Sequence, residues 1–151
     1  MSTLPRIVFA IVFAGLFFAG PAAAASKYNW DALGAEFCRL STAGDMAGLR
    51  PLLSVQLRQD IDAAALSSEL MPARVLFQSY TNEVPVCTAR TRNAALVEIK
   101  RSKPGGAPPN WTEYLVIVPE ADGSSRIDDV LFATRRSDTL RARLGYFAVP
   151  R

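Results

Sequence analysis

Carboxylates are the first side chains to consider for acid–base chemistry in this chain, because the sequence contains no histidine. Without histidine there is no Ser-His-Asp triad, no Cys-His dyad and no His-ligated zinc or haem. Two aspartates, Asp128 and Asp129, stand side by side in the segment RIDDVLFAT. A carboxylate in an apolar pocket can act as a general base with a raised pKa. These two residues are therefore the first candidates for a reactive site.

Alternation along a predicted strand places the two aspartates on opposite faces of the sheet. Asp129 then shares its face with Ile127, whereas Asp128 shares its face with Val130. Since both faces are apolar, we expect at least one carboxylate to be largely buried, and the two cannot act on one substrate as a pair. A buried carboxylate needs a cation or several donors beside it. The nearest cations on the preceding strands are Arg90, Arg92, Lys100 and Arg101.

Two interpretations of these carboxylates remain open. In the first, a carboxylate forms a structural ion pair that joins helix to sheet, which is the commoner role of such networks. In the second, a pocket aspartate is the base of an isomerase or lyase, and Tyr114 or Tyr80 donates to a developing oxyanion. Trp111, Tyr114 and Phe132 could line a ligand cavity, although aromatic side chains on a half-buried sheet are more often core.

Other patterns for catalysis or ligand binding are absent from the sequence. No G-x-S-x-G, P-loop or GxGxxG motif occurs, and Asp60 and Asp62 are too closely spaced on a helix to face one another. The net charge of +3 does not amount to the dense basic stripe that nucleic-acid binding needs. The arginines near the C-terminus, among them Arg135 and Arg136, are interpreted as a solvated helix face. We predict no catalytic set, metal, cofactor or nucleic-acid partner.

The first 25 residues have the three parts of a secretory signal peptide. Arg6 supplies the positive charge, residues 7–19 are wholly apolar, and Gly20-Pro21 precedes the alanine run 22–25 with its A-x-A site. The apolar run is shorter than the ~20 residues that span a bilayer. We predict cleavage after Ala25, export to the periplasm or beyond, and no membrane attachment afterwards. Residues 26–151 would then form a single domain.

Export would bring the only two cysteines, Cys38 and Cys87, into an oxidising compartment. Cys38 lies on the apolar side of the first predicted helix, and Cys87 lies in the middle of the first long strand. A helix packed on a sheet brings two such Cβ atoms within the ~4 Å that a disulfide requires. We predict a structural disulfide, and the alternative is a pair of inert core thiols. Because no CxxC motif occurs, the sequence does not indicate a redox role.

The hydrophobic pattern divides the chain into a helical half and a strand half. A helix from Asn29 ends at Gly44, a short segment over 46–53 follows, and Ser54 caps a third helix that ends at Met71-Pro72. The period then changes to two in segments 84–92, 94–101, 111–118 and 126–134, with a loop over 103–110 and a hairpin at Asp122-Gly123.

A last short helix contains Leu140 and Leu144 and ends before Gly145. Helices followed by strands predict an α+β domain, in which the N-terminal helices pack on a curved, cone-like antiparallel sheet of about four strands.

Two segments carry a resemblance to a known family. GDMAGLRPLLS-x-x-L follows the first helix, and WTEYLVIVPEADGSSRIDDVLF supplies two strands with an R-I-D-D-V signature. This order, over most of residues 29–145, resembles the nuclear transport factor 2-like superfamily and is most similar to its small exported bacterial members. The family includes a steroid isomerase, dehydratases, polyketide cyclases and association domains, so the resemblance implies a cone-shaped fold and a pocket rather than a reaction.

From these observations we expect an exported binding or association domain without catalysis. Its partner would be a small ligand or another protein, and a homodimer is one of the assemblies considered. Two alternatives remain: an isomerase or lyase that uses a pocket aspartate, and an inhibitor or immunity-type protein that docks to a partner. A large exposed apolar patch would favour docking over a ligand cavity.

Overall fold

Helices precede strands in the computed structural model of this chain, which describes residues 28–67, 69–79, 85–106 and 110–148. The elements in chain order are α1 (Asp31–Ala43), α2 (Met46–Leu49), α3 (Val55–Ser67), α4 (Ala73–Leu76), β1 (Val86–Thr91), β2 (Leu96–Ser102), β3 (Trp111–Pro119), β4 (Ser125–Leu131) and α5 (Leu140–Phe147). This order confirms the α+β class. The predicted signal peptide and Tyr80 lie outside the described residues.

Local sequence signals set the ends of the first helices. Gly44 ends α1 in the left-handed conformation with φ of 76°, which suits a residue without a Cβ. The Asp45 carboxylate accepts a backbone N–H of α2, and Ser54 Oγ accepts the N–H of Leu57 in α3 at 3.0 Å. Pro51 divides the segment over 46–53 into α2 and a single 3-10 turn.

Two helical features differ from the sequence prediction. The third helix ends at Ser67, before the predicted end at Met71-Pro72, and residues Ala73–Leu76 form the short helix α4, which we did not predict. Leu76 and the following Phe77 are fully buried, and this burial stabilises a turn too short to form alone. Gly145 lies inside α5 rather than after it, and the helix continues to Phe147, which packs against the core.

The four strands form an open antiparallel sheet in the order β1-β2-β3-β4. Ala89 pairs with Ile99 across β1 and β2, and Val97 pairs with Leu115 across β2 and β3. These residues share the sheet face that the helices cover. Strand β4 ends at Leu131, three residues earlier than predicted, because the chain turns there and Phe132 bonds to Asp138 instead.

The core lies between this sheet face and the helices. Phe37 of α1 packs edge-to-face on Phe77, with ring centroids 5.8 Å apart, and both are fully buried. Leu57 of α3 and Leu140 of α5 are buried in the same cluster. Within the described residues no helix is long and apolar enough to cross a lipid bilayer.

The predicted disulfide between Cys38 and Cys87 is present and joins α1 to the edge strand β1, with the two Cα atoms 5.5 Å apart. The helix and the strand approach closely beside it. A Cβ added to Gly34 would lie 2.5 Å from the Cβ of Ala89, so only glycine fits at this position of α1. The disulfide therefore reinforces a contact that is already tight.

Candidate functional site

Asp128 and Asp129 lie at a β-bulge, which the sequence pattern did not reveal. Asp129 and Ile127 pair with consecutive residues of β3, so Asp128 is an extra residue in β4. Ile127 and Val130, which strict alternation places on opposite faces, are both fully buried in the core. The expectation of an apolar face around each aspartate was therefore wrong, because the bulge shifts the alternation by one residue.

Both aspartates bind Arg141, at the start of α5. Oδ2 of Asp128 accepts a hydrogen bond from Nη1 of Arg141 at 2.9 Å, and Oδ1 accepts one from Ser54 Oγ at 2.6 Å. Oδ1 of Asp129 accepts the backbone N–H of Arg141 at 3.0 Å and that of Val130 at 2.8 Å. Asp129 thus satisfies a free N–H in the first turn of α5 and places a negative charge at the helix N-terminus.

Arg141 also reaches α3, since its Nε donates to Asp60 Oδ2 at 2.9 Å. One guanidinium therefore joins α3, β4 and α5. The side chains of Arg141 and Asp128 are 36% and 20% exposed, so water reaches this group of charges. Both oxygens of Asp128 already accept hydrogen bonds. This geometry matches the interpretation as a structural ion pair, not that of a base facing a pocket.

Three of the four cations that we expected beside these aspartates pair with other acids, and the fourth is exposed. Arg92 and Lys100 lie 3.5 and 3.6 Å from Glu98. Arg101 binds Glu113, and Arg90 is exposed on β1. The sequence prediction considered only the neighbouring strands, whereas the actual partner, Arg141, comes from α5, which packs against β4.

A second ionic group, which the sequence analysis missed, lies fully inside the protein. Glu113 is 0% exposed and Arg101 is 2% exposed. Oε2 of Glu113 accepts from Nε of Arg101 at 2.6 Å, and Oε1 accepts from Nε1 of Trp111 at 3.1 Å. The N–H and the hydroxyl of Ser79 also donate to Oε1. Nη2 of Arg101 donates to the carbonyl of Phe77 at 2.9 Å.

We call Arg101, Glu113, Trp111 and Ser79 the buried network. It ties the end of α4 to β2 and β3. One signal in the sequence could have revealed this network. Residues two apart in a strand lie on the same face, so Glu113 shares the apolar face of its strand with Trp111 and Leu115. A charge at such a position needs an opposite charge on the neighbouring strand.

The aromatic residues proposed as pocket walls do not surround a common cavity. Trp111 is buried in the network just described. Tyr114 lies half-buried on the other face of β3, opposite Glu98 and Leu131 in the adjacent strands. Phe132 is buried beneath the guanidinium of Arg143, whose central carbon lies 3.6 Å from the ring centroid.

A surface cleft of about 320 Å³ lies between α5 and the loop that precedes it. We call it the α5 cleft. Met71, Ala142 and Phe147 contribute apolar surface, and the ring of Tyr146, which is 72% exposed, stands at its border. Its polar lining includes Arg135, Ser137, Asp138 and Arg143.

Asp138 is held firmly in the wall of the α5 cleft. Nε and Nη2 of Arg143 donate to its two oxygens, each at 2.8 Å, and the hydroxyl of Thr134 donates as well. The hydrogen bonds from Arg143 lower the pKa of Asp138 below its ordinary value of 3.8, with further lowering from Thr134 and from the charge of Arg135. Nη1 of Arg143 donates to the carbonyl of Gln78 at 3.0 Å.

In the part of the chain that the structure describes, no three acidic or cysteine side chains lie close enough together to hold a metal ion. The α5 cleft combines exposed aromatic surface with charged side chains, which is the kind of lining that can bind a ligand. Comparison with known proteins found no matching family model, no matching curated protein and no matching solved structure.

Proposed function

We propose that this chain is an exported binding or association domain that carries out no catalysis. One observation carries the proposal: the carboxylates best placed for acid–base chemistry are each engaged in contacts that join elements of the fold. Asp128 and Asp129 bind Arg141, and Glu113 binds Arg101 inside the core. Exposed aromatic and apolar surface remains at the α5 cleft, which is the kind of surface that binds ligands.

Export is supported by the apolar N-terminal segment and by the disulfide, because disulfides persist mainly in oxidising compartments. The full chain would be expressed and the periplasm and medium separated from the cytoplasm. We expect an exported product whose N-terminal sequence begins at Ser26. A product that remains in the cytoplasm with residues 1–25 attached would contradict the proposal.

Membership of the nuclear transport factor 2-like superfamily is likewise a proposal. Helices followed by a four-stranded meander, with R-I-D-D-V in the last strand, support it. An experimental structure of the exported protein would test it by superposition on family members. A topology that differs from theirs in strand order would overturn the assignment.

The absence of catalysis can be tested by screening the exported protein with a library of small metabolites. Binding would be detected as a rise in melting temperature, and each hit would be incubated with the protein and examined by mass spectrometry. We expect hits that bind and are recovered unchanged. Turnover of a hit that is lost in Asp128→Asn or Asp129→Asn would instead establish the isomerase or lyase alternative.

A further inference from the structure

We propose that the α5 cleft binds a small organic carboxylate with an aromatic or apolar body, and that Arg135 pairs with the carboxylate. The inference rests on the proposed binding function and names the site and ligand class. Its first support is the charge of the cleft. Two guanidinium groups, those of Arg135 and Arg143, face one carboxylate, that of Asp138.

The two arginines differ in how much of their binding capacity is already used. Arg143 donates hydrogen bonds to both oxygens of Asp138 and to the carbonyl of Gln78, so its charge is already paired. Within the described residues Arg135 makes no side-chain hydrogen bond or ion pair. Both oxygens of Asp138 are occupied by Arg143 and Thr134. One positive charge in the cleft is therefore available to a ligand.

The apolar lining specifies the rest of the ligand. The rings of Tyr146 and Phe147 meet edge-to-face with centroids 5.9 Å apart, and Met71 and Ala142 add apolar surface to the same cleft. An aromatic ring packs well on such a platform. The volume of about 320 Å³ is at the small end of the range for ligand sites, which suits a single ring with a short chain.

A carboxylate fits the cleft better than a phosphate does. One free guanidinium balances the single charge of a carboxylate and presents two parallel N–H donors to its two oxygens. A phosphate dianion would need more than one free cation, and Asp138 would repel its double charge more strongly than the single charge of a carboxylate. The ligand class is thus a monocarboxylate of low molecular mass.

The test uses 3-phenylpropanoate as the probe and 3-phenylpropanamide as its uncharged analogue of the same shape. Both would be titrated into the isotope-labelled exported protein and followed by amide chemical shifts. We expect shifts at Arg135, Tyr146 and Phe147, and binding of the carboxylate at least about ten-fold tighter than that of the amide.

The neighbouring arginine supplies a matched control, because Arg136 is exposed and does not line the cleft. Arg135→Gln should weaken binding of the carboxylate by about ten-fold or more and leave the amide unaffected. Arg136→Gln removes the same charge one residue away and should change the affinity by less than about two-fold.

Several outcomes would overturn the inference. These are equal binding of acid and amide, an equal loss in Arg136→Gln, shifts confined to another part of the domain, or no saturation at millimolar probe. Much tighter binding of a short peptide with a free C-terminal phenylalanine would identify a protein partner and overturn the small-ligand assignment. Chemical conversion of a bound ligand would overturn the proposed function instead, so the two failures are distinguishable.

Discussion

The pair Arg101–Glu113 and the pair Arg141–Asp128 have the same chemistry and very different exposure to water. The side chains of the first pair are 2% and 0% exposed, and those of the second are 36% and 20% exposed. The sequence pattern drew attention to the second pair, where two acids stand together. In the structure, the first pair carries the larger desolvation cost, although its only mark in the sequence is a single acid two residues after a tryptophan.

Burial explains the difference. Removing two charges from water carries a desolvation penalty, which is offset only when the geometry is good and the remaining lone pairs and protons are satisfied. Glu113 meets that condition through Arg101, Trp111 and Ser79. The ion pairs of Arg141 with Asp60 and Asp128 lie partly in water, where salt screens the charges and each contact contributes less to stability. Removing one partner of the buried pair should therefore destabilise the fold strongly, whereas removing one partner of the exposed pair should cost less.

The largest effect should follow from breaking the buried pair on one side. Glu113→Gln keeps the shape but leaves the Arg101 charge without compensation, and we expect a loss of about 3–5 kcal/mol in the free energy of unfolding. Urea denaturation at neutral pH measures it.

The control is the double variant Arg101→Met/Glu113→Leu, which removes both charges and should recover at least about half of that loss. If Glu113→Gln does not fold, a double variant that does fold still shows that the uncompensated charge of Arg101 is the cause. A loss below about 1 kcal/mol in Glu113→Gln would show that the buried pair contributes no more to stability than an exposed pair does.

Removing the disulfide should come next, because it closes a loop with a sequence separation of 49 residues. The chain-entropy estimate for such a loop is about 4 kcal/mol, and the effect should be independent of salt because no charge is involved. Reduction, or the double variant Cys38→Ala/Cys87→Ala, should lower the melting temperature and leave the far-ultraviolet circular dichroism nearly unchanged. Two freely alkylated thiols in the unreduced protein would contradict the disulfide itself.

Arg141→Gln should have a smaller effect that depends on salt. The substitution removes contacts to Asp60 and Asp128 that are partly screened by water, so we expect a loss of about 1–2 kcal/mol at low ionic strength. In 1 M salt the difference from the wild type should fall by about half. Arg50→Gln is a matched control, since Arg50 forms one exposed pair with Asp62, and it should cost less than about 1 kcal/mol. Equal effects of the two substitutions would contradict a joining role for Arg141.

Asp138→Asn should give the smallest effect, because the amide keeps one side-chain oxygen that accepts hydrogen bonds, and the effect should depend on pH. Its pKa in the folded protein is lowered by the hydrogen bonds from Arg143, so the ionised form stabilises the fold. That stabilisation is fully present above the unfolded pKa near 3.8 and is lost as the pH falls through the lower folded value. We expect Asp138→Asn to cost about 1 kcal/mol at neutral pH, with the difference shrinking in acid denaturation. A constant difference at all pH values would contradict this assignment.

The sequence was most informative where a residue acts on its near neighbours. Ser54 was recognised as a helix cap, and Asp122-Gly123 as the turn of a hairpin, because each bonds within a few residues. The β-bulge at Asp128 could not be recognised in this way. It depends on how β3 and β4 pair over the core, and the alternation of β4 alone reads as regular.

By itself, the sequence determined the α+β order, the four strands and the pairing of Cys38 with Cys87, since hydrophobic period and a single cysteine pair leave little choice. The tertiary structure alone decided which charges meet. Arg141 reaches Asp128 from a later helix, and Arg101 reaches Glu113 across adjacent strands. Ion pairs form between groups that packing brings together, and a long flexible arginine can reach several acids from one position. Burial then decides how much each pair contributes to stability, and burial depends on the whole fold rather than on any single residue.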